Sequence, residues 1–182
     1  YQLKNNIIDA KDISKIEKNV FKNFAEYLSK KYTTKKNDIL IESLLWELNE
    51  IYFVELKNPF FSKKEQLVNI IVNSILEKVN LYKNEIGTEK YIQIFKRTLL
   101  NKINHYWSNH LNKMQSLQNG IFYRQYSNNN PLTAFKEEGA KYFNEMVDKF
   151  SYETTYSIFM TLRRFNVMLE KKKEIMDKEK EA

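Results

Sequence analysis

Hydrophobic positions recur along this chain at three- and four-residue intervals from near residue 13 to near residue 169, and no stretch alternates apolar with polar residues as a half-buried strand does. The pattern predicts an all-α fold. Ile13, Ile16, Val20, Phe24, Tyr27 and Leu28 lie on one stripe of a first helix that stops in a turn at residues 30–34. Ile41, Leu44, Leu45, Leu48, Ile51 and Tyr52 form the stripe of a second, with Asn37 or Asp38 placed to cap its free N–H groups. Asn58-Pro59 breaks the chain. Ser62-Lys63-Lys64-Glu65 then has capping-box form ahead of Leu67, Ile70, Ile71, Ile75 and Val79, and Gly87 is a natural stop for this third helix.

Two longer elements follow. From Thr88, read as a cap, Ile92, Phe95, Leu99, Ile103, Tyr106, His110, Met114 and Leu117 keep one stripe until Gly120 closes it, a helix of roughly 45 Å at about 1.5 Å per residue. Pro131 suits a helical first turn, and Phe143, Val147, Phe150, Thr154, Ile158, Leu162, Phe165 and Leu169 supply a matching stripe. The two predict an antiparallel pair. Gly139 inside the second rod costs about 1 kcal/mol relative to Ala and marks a close approach of another backbone. The resulting organisation is a three-helix unit over 1–87, a long hairpin over 88–169 with Gly87 as a hinge candidate, and a solvated helical extension over 170–182 that frays.

A direction reversal needs only small polar residues, which Ser127 and Asn128 to Asn130 already supply. Ile121, Phe122, Tyr123, Arg124 and Tyr126 are surplus to it and imply a contact at the hairpin tip.

Composition narrows the readings. The 182 residues, 42% hydrophobic and 14% aromatic, are enough to bury a core. A formal net charge of +7 favours an acidic partner: nucleic acid, anionic lipid or a negative protein face. The absence of cysteine excludes disulfides, thiolate metal sites and a cysteine nucleophile. His105 and His110 are spaced to fall on different faces of a helix, which argues against a metal site, and His110 is read as a hydrogen-bonded residue of the interhelical seam. Arg163, Arg164 and Lys171 to Lys173 read as a solvated face that an acidic lipid surface would suit, and Trp46 with Pro59-Phe60-Phe61 as a patch for a neighbouring domain. No apolar run reaches the roughly 18 residues of a membrane span, no signal or transit segment opens the chain, and Tyr1 in place of Met points to a piece of a longer protein.

Trp107, His110, Leu111, Met114, Leu117, Gly120, Ile121, Arg124 and Tyr126, followed by Pro131, Leu132, Phe135, Lys136, Glu138, Gly139, Phe143 and Met146, carry a further signal through their order and spacing. This run resembles the two-helix finger of SecA, the ATP-driven motor of bacterial and plastid protein export. The upstream helices fall where that family places its helical wing domain. Gln115, Gln118 and Gln125 depart from the residues usual there, and a glutamine in place of glycine before Tyr126 restricts the tip backbone.

The resemblance implies a non-catalytic fragment. No phosphate-binding loop is present, so ATP and magnesium belong to motor domains outside this chain and the fragment itself needs no cofactor. It implies partners as well: a SecY-type channel, an unfolded preprotein touched by Tyr126 with Arg124 and its neighbours, and the other SecA domains. A phenol offers contact area to any apolar segment and a hydroxyl to any backbone. The rival reading is a basic helical nucleic-acid binder, disfavoured because both signs of charge are mixed along the chain. A third is a free-standing helical scaffold. The Lys, Asn, Ile and Tyr bias points to a plastid (apicoplast) stroma or to the cytoplasm of a low-GC bacterium, peripheral at the membrane.

Overall fold

The structure, a computed structural model, describes residues 7–10, 12–57, 61–123 and 130–180. Their regular elements are α1 (Ser14–Lys31), α2 (Ile41–Tyr52), α3 (Lys64–Ile86), α4 (Thr88–Tyr123) and α5 (Pro131–Lys180). No strand forms among the described residues; a lone bridge pairs Thr33 with Ile39. The expected all-α architecture is what the chain adopts, and α4 and α5 make the most extensive pairing of elements.

Several helix ends differ from expectation. Asn37 and Asp38 do not cap α2. Asn37 sits at φ 68°, and the Thr34 N–H donates to the Asp38 carbonyl, so this pair closes a tight turn and the helix starts later, at Ile41. Ahead of α3 the reaching side chain is Gln66 instead of Glu65. Its carboxamide oxygen accepts from the Ser62 N–H at 2.9 Å and the Ser62 hydroxyl at 3.1 Å. An amide can serve here because the vacant donors need only an oxygen at that distance.

Gly87 ends α3, as its φ of 89° allows, and its carbonyl accepts from the Tyr91 N–H at 3.0 Å. Gly87 therefore caps α4 as well, and Thr88 lies inside that helix. Gly120 does not close α4, which continues to Tyr123; 36 residues at about 1.5 Å each make a rod of roughly 54 Å. At the far side the Asn130 side chain accepts from the Leu132 N–H at 3.1 Å, with Pro131 as the first helical residue. From there α5 runs unbroken for 50 residues to Lys180, so the extension expected after residue 169 continues the same helix. Residues 170–178 are all exposed, in keeping with a solvated extension.

One core joins α1, α2 and α3 to only one end of the hairpin. Phe21 of α1 stands edge-on to Phe95 of α4 and Phe159 of α5, with centroids 6.3 and 6.4 Å away. Phe159 also meets Tyr52 of α2 and Tyr82 of α3 at 5.6 and 6.2 Å. Burying rings of this size contributes about 2–3 kcal/mol each. The contiguous core takes Tyr91, Ile94, Phe95 and Leu99 from α4 and Ile158, Phe159 and Leu162 from α5, and ends there. Beyond it α1 borders the hairpin as far as Trp107 and Phe143, and from there to the tip the two rods travel without a third helix among the described residues. Phe61 packs against this core, so it is no part of a free patch; Pro59 and Phe60 lie outside the described residues. Trp46 remains 63% exposed.

Candidate functional site

The distal hairpin, residues 104–123 and 130–149, holds the described part of the finger motif and leads to the tip singled out for a contact. Helical spacing gives α4 a seam of His110, Met114, Leu117 and Ile121 toward α5, all three or four residues apart. Leu117 and Ile121 are buried, and at 8% exposure Ile121 has little surface to offer a partner. Opposite them, Gly139 is a notch. A Cβ built there would stand 3.0 Å from Met114 Cε and 3.5 Å from Met114 Sδ. The close approach that this glycine accommodates is a methionine side chain, where another backbone was expected. A thioether fits such a gap because it has free rotors and no branch.

His110 closes the seam by packing. Its ring meets Trp107 and Phe143 at 5.8 Å each, and its Nδ1 has no hydrogen-bond partner. The expected hydrogen bond is thus missing on that nitrogen, because the facing residue on α5 is an aromatic ring. Trp107, Leu111 and Phe143 leave 48%, 51% and 45% of their surfaces in solvent. Lys113 reaches over the Tyr142 ring at 5.6 Å, a further link between the rods.

At the root of this segment, Lys102 Nζ lies 2.9 Å from Glu153 Oε2. A hydrogen bond from Tyr106, with help from Lys102, holds the Glu153 carboxyl below its usual pKa, while burial and that carboxylate push the Tyr106 phenol up. Beside the root an apolar groove of about 410 Å³ opens between α1 and the hairpin, lined by Val20, Leu99, Trp107, Phe143, Val147 and Phe150.

The electrostatics of α4 change along its length. Between Ile103 and Tyr123 the sole Lys, Arg, Asp or Glu is Lys113, in a chain that is 29% charged. Apart from Lys113 and the His105 imidazole, the outward side chains there are amides, hydroxyls and the exposed Trp107 and Leu111. Such a flank can contact uncharged polypeptide without desolvating ions. It offers no acid–base pair, and no group of three or more His, Asp or Glu gathers to hold a metal among the described residues. No helix among them is long and apolar enough to cross a membrane.

The side chains of Phe122 and Tyr123, and the whole of Arg124 and Tyr126, lie outside the described residues. Pro131 starts α5 and Gly120 sits in open helix with nothing within 4 Å of a built Cβ. Sequence reasoning missed two buried carboxylates, Glu17 and Glu47, which are 5% and 1% exposed. Each lies on an otherwise apolar helical face. That was the available signal.

A model of the SecA wing and scaffold domain matches residues 1–162. The protein translocase subunit SecA of Aquifex aeolicus is 30% identical over 173 residues, covering 90% of this chain and 17% of that protein. Its counterpart in Vesicomyosocius okutanii is 26% identical over 190 residues, covering all of this chain and 20% of that protein. The SecA of Hydrogenobaculum is 32% identical over 125 residues, which is 64% of this chain. The chain thus spans about a fifth of the length of these relatives.

Proposed function

The chain belongs to the SecA wing and scaffold domain family, and from that premise we propose that it is a binding and force-transmitting part of a SecA-like preprotein translocase ATPase. Helices α1–α3 correspond in this reading to the helical wing, residues 88–169 to the two-helix finger, and 170–182 to a charged extension. ATP binding and hydrolysis belong to other parts of the parent protein, with magnesium as the cofactor there. The finger meets the translocating polypeptide and the mouth of a SecY-type channel, while the wing packs on neighbouring motor domains. The parent works at the membrane surface, either in a plastid stroma or in the cytoplasm of a low-GC bacterium.

The observation that carries this reading is the distal hairpin itself: two rods continue past the core, nearly without charge on α4, and lead to an aromatic tip. The nearly uncharged, aromatic-bearing flank of α4 suits a partner whose sequence varies, because it demands no complementary ion, while the facing stretch of α5 keeps its charges from Lys136 to Lys149. In the intact motor, Tyr126→Ala is expected to lower transport of a preprotein into membrane vesicles while basal ATP turnover stays near the wild-type rate. Unchanged transport would remove the tip contact. Salt-sensitive binding of single-stranded RNA by the chain would instead favour a nucleic-acid module.

A further inference from the structure

Glu17 and Glu47 are buried carboxylates that the proposed function does not use, and their surroundings repeat one arrangement. Glu17 of α1 receives Lys83 Nζ of α3 at 3.0 Å, and that ammonium lies 4.6 Å from the ring centroid of Tyr91 on α4. Glu47 of α2 receives Lys31 Nζ of α1 at 2.6 Å, and that ammonium lies 5.2 Å from the ring centroid of Tyr152 on α5. In both, a buried glutamate fixes a lysine, and the lysine sits against a tyrosine of one hairpin helix. Tyr91 adds a direct bond, its hydroxyl donating to Glu17 Oε1 at 2.5 Å, and Tyr32 donates to Glu47 Oε2.

The arrangement in the distal root differs. Glu153 there keeps 46% of its side chain in solvent and links the two hairpin helices to each other. The two buried sets instead tie α1–α3 to the hairpin, one on each rod, at points well separated along the chain.

Apolar packing between the two parts is non-directional, and related orientations bury similar area. Both ion pairs lie within α1–α3, and what crosses to the hairpin is the Tyr91 hydroxyl bond to Glu17 and the seating of the Lys83 and Lys31 ammonium groups on the Tyr91 and Tyr152 rings. An arrangement that breaks these contacts leaves buried polar groups short of partners, which is penalised although the contacts add little net stability. We propose that the Glu17–Lys83–Tyr91 and Glu47–Lys31–Tyr152 sets are paired clasps that select a single orientation of the α1–α3 unit on the hairpin. The aromatic core supplies the affinity between the parts, and the clasps supply the angle. Burial and the nearby carboxylates raise the pKa of both phenols, so the rings stay neutral and remain a favourable face for the ammonium groups. The exposed Lys30–Asp148 pair also joins α1 to α5, at 2.9 Å, but with 70% of the lysine side chain in solvent it holds no angle.

The test places spin labels at Ser43→Cys on α2 and Asn112→Cys on the hairpin, in a chain that has no cysteine of its own, and reads the distance distribution by double electron–electron resonance. Glu17→Gln with Glu47→Gln keeps the side-chain shape and removes both charges. It is expected to keep the wild-type helix content by circular dichroism while the distribution broadens about twofold or splits. Asp148→Asn should leave the distribution as it is. A folded double variant with the single narrow distance of the wild type overturns the proposal, as does equal broadening by Asp148→Asn. Should the double variant lose its helix content, Tyr91→Phe with Glu47→Gln retains every ring and is read by the same two outcomes.

Discussion

The two ends of the hairpin use the same helices and the same stripe of apolar residues, yet they are held in different ways. Near Gly87, Phe95 of α4 and Phe159 of α5 are enclosed by rings from α1, α2 and α3. Near Pro131, Leu117, Ile121 and the Met114–Gly139 notch hold two rods alone. A two-helix contact can bury one stripe per helix and no more, so the distal half gains far less per residue than the half embedded in the body. Length past the core is obtained at the expense of local stability.

That contrast should be widest for truncations in the two seams. Phe159→Ala removes a ring at the crossing of four helices and is expected to cost about 3–5 kcal/mol in urea denaturation. Leu117→Ala, in a buried position of the distal seam, is expected to cost less than half as much, about 1–2 kcal/mol, because two rods can collapse around the gap. Equal costs would mean that the hairpin is one cooperative element from end to end.

Glycine exchange sharpens the same comparison with opposite signs. Gly87→Ala forces an L-residue to φ 89° at the body's junction and should destabilise by about 1–2 kcal/mol. Gly120→Ala lies in open helix with free space at its Cβ, and should stabilise the distal rod by about 0.5–1 kcal/mol, read as increased amide protection around it.

The smallest expected effect is at the root. Glu153 has its folded pKa held below the unfolded value by Tyr106 and Lys102, so its contribution is complete above the ordinary carboxylate range of about 4.3 and disappears as pH falls through the lower folded value. Glu153→Gln should therefore separate from the wild type at pH 6 and converge with it in acid. A gap that persists at low pH would assign the difference to packing.

The elements were legible in the sequence wherever a stripe kept its period, as in Ile92 to Leu117 or Phe143 to Leu169. Helix ends were less so. Asn37 is a good cap by type but its backbone was taken by a turn, and Gly87 serves two helices at once, displacing Thr88. The helical extension past residue 169 was legible as well, because a run of Lys and Glu makes a good exposed helix. Within the candidate site, the seam residues Met114 and Leu117 could be read from spacing, whereas the methionine that fills the Gly139 notch and the ring that faces His110 come from the opposite rod and leave no local signal. The buried Glu17 and its partner Tyr91 are 74 positions apart, and no local pattern links them.

Native-state hydrogen exchange across a low-denaturant series puts the central contrast to its most direct test. Amides of residues 91–99 and 151–162 are expected to exchange only through global unfolding, while those of 104–119 and 134–148 open earlier, together, with a smaller free energy and a shallower denaturant dependence. A single common opening energy across both halves of the hairpin would contradict the account.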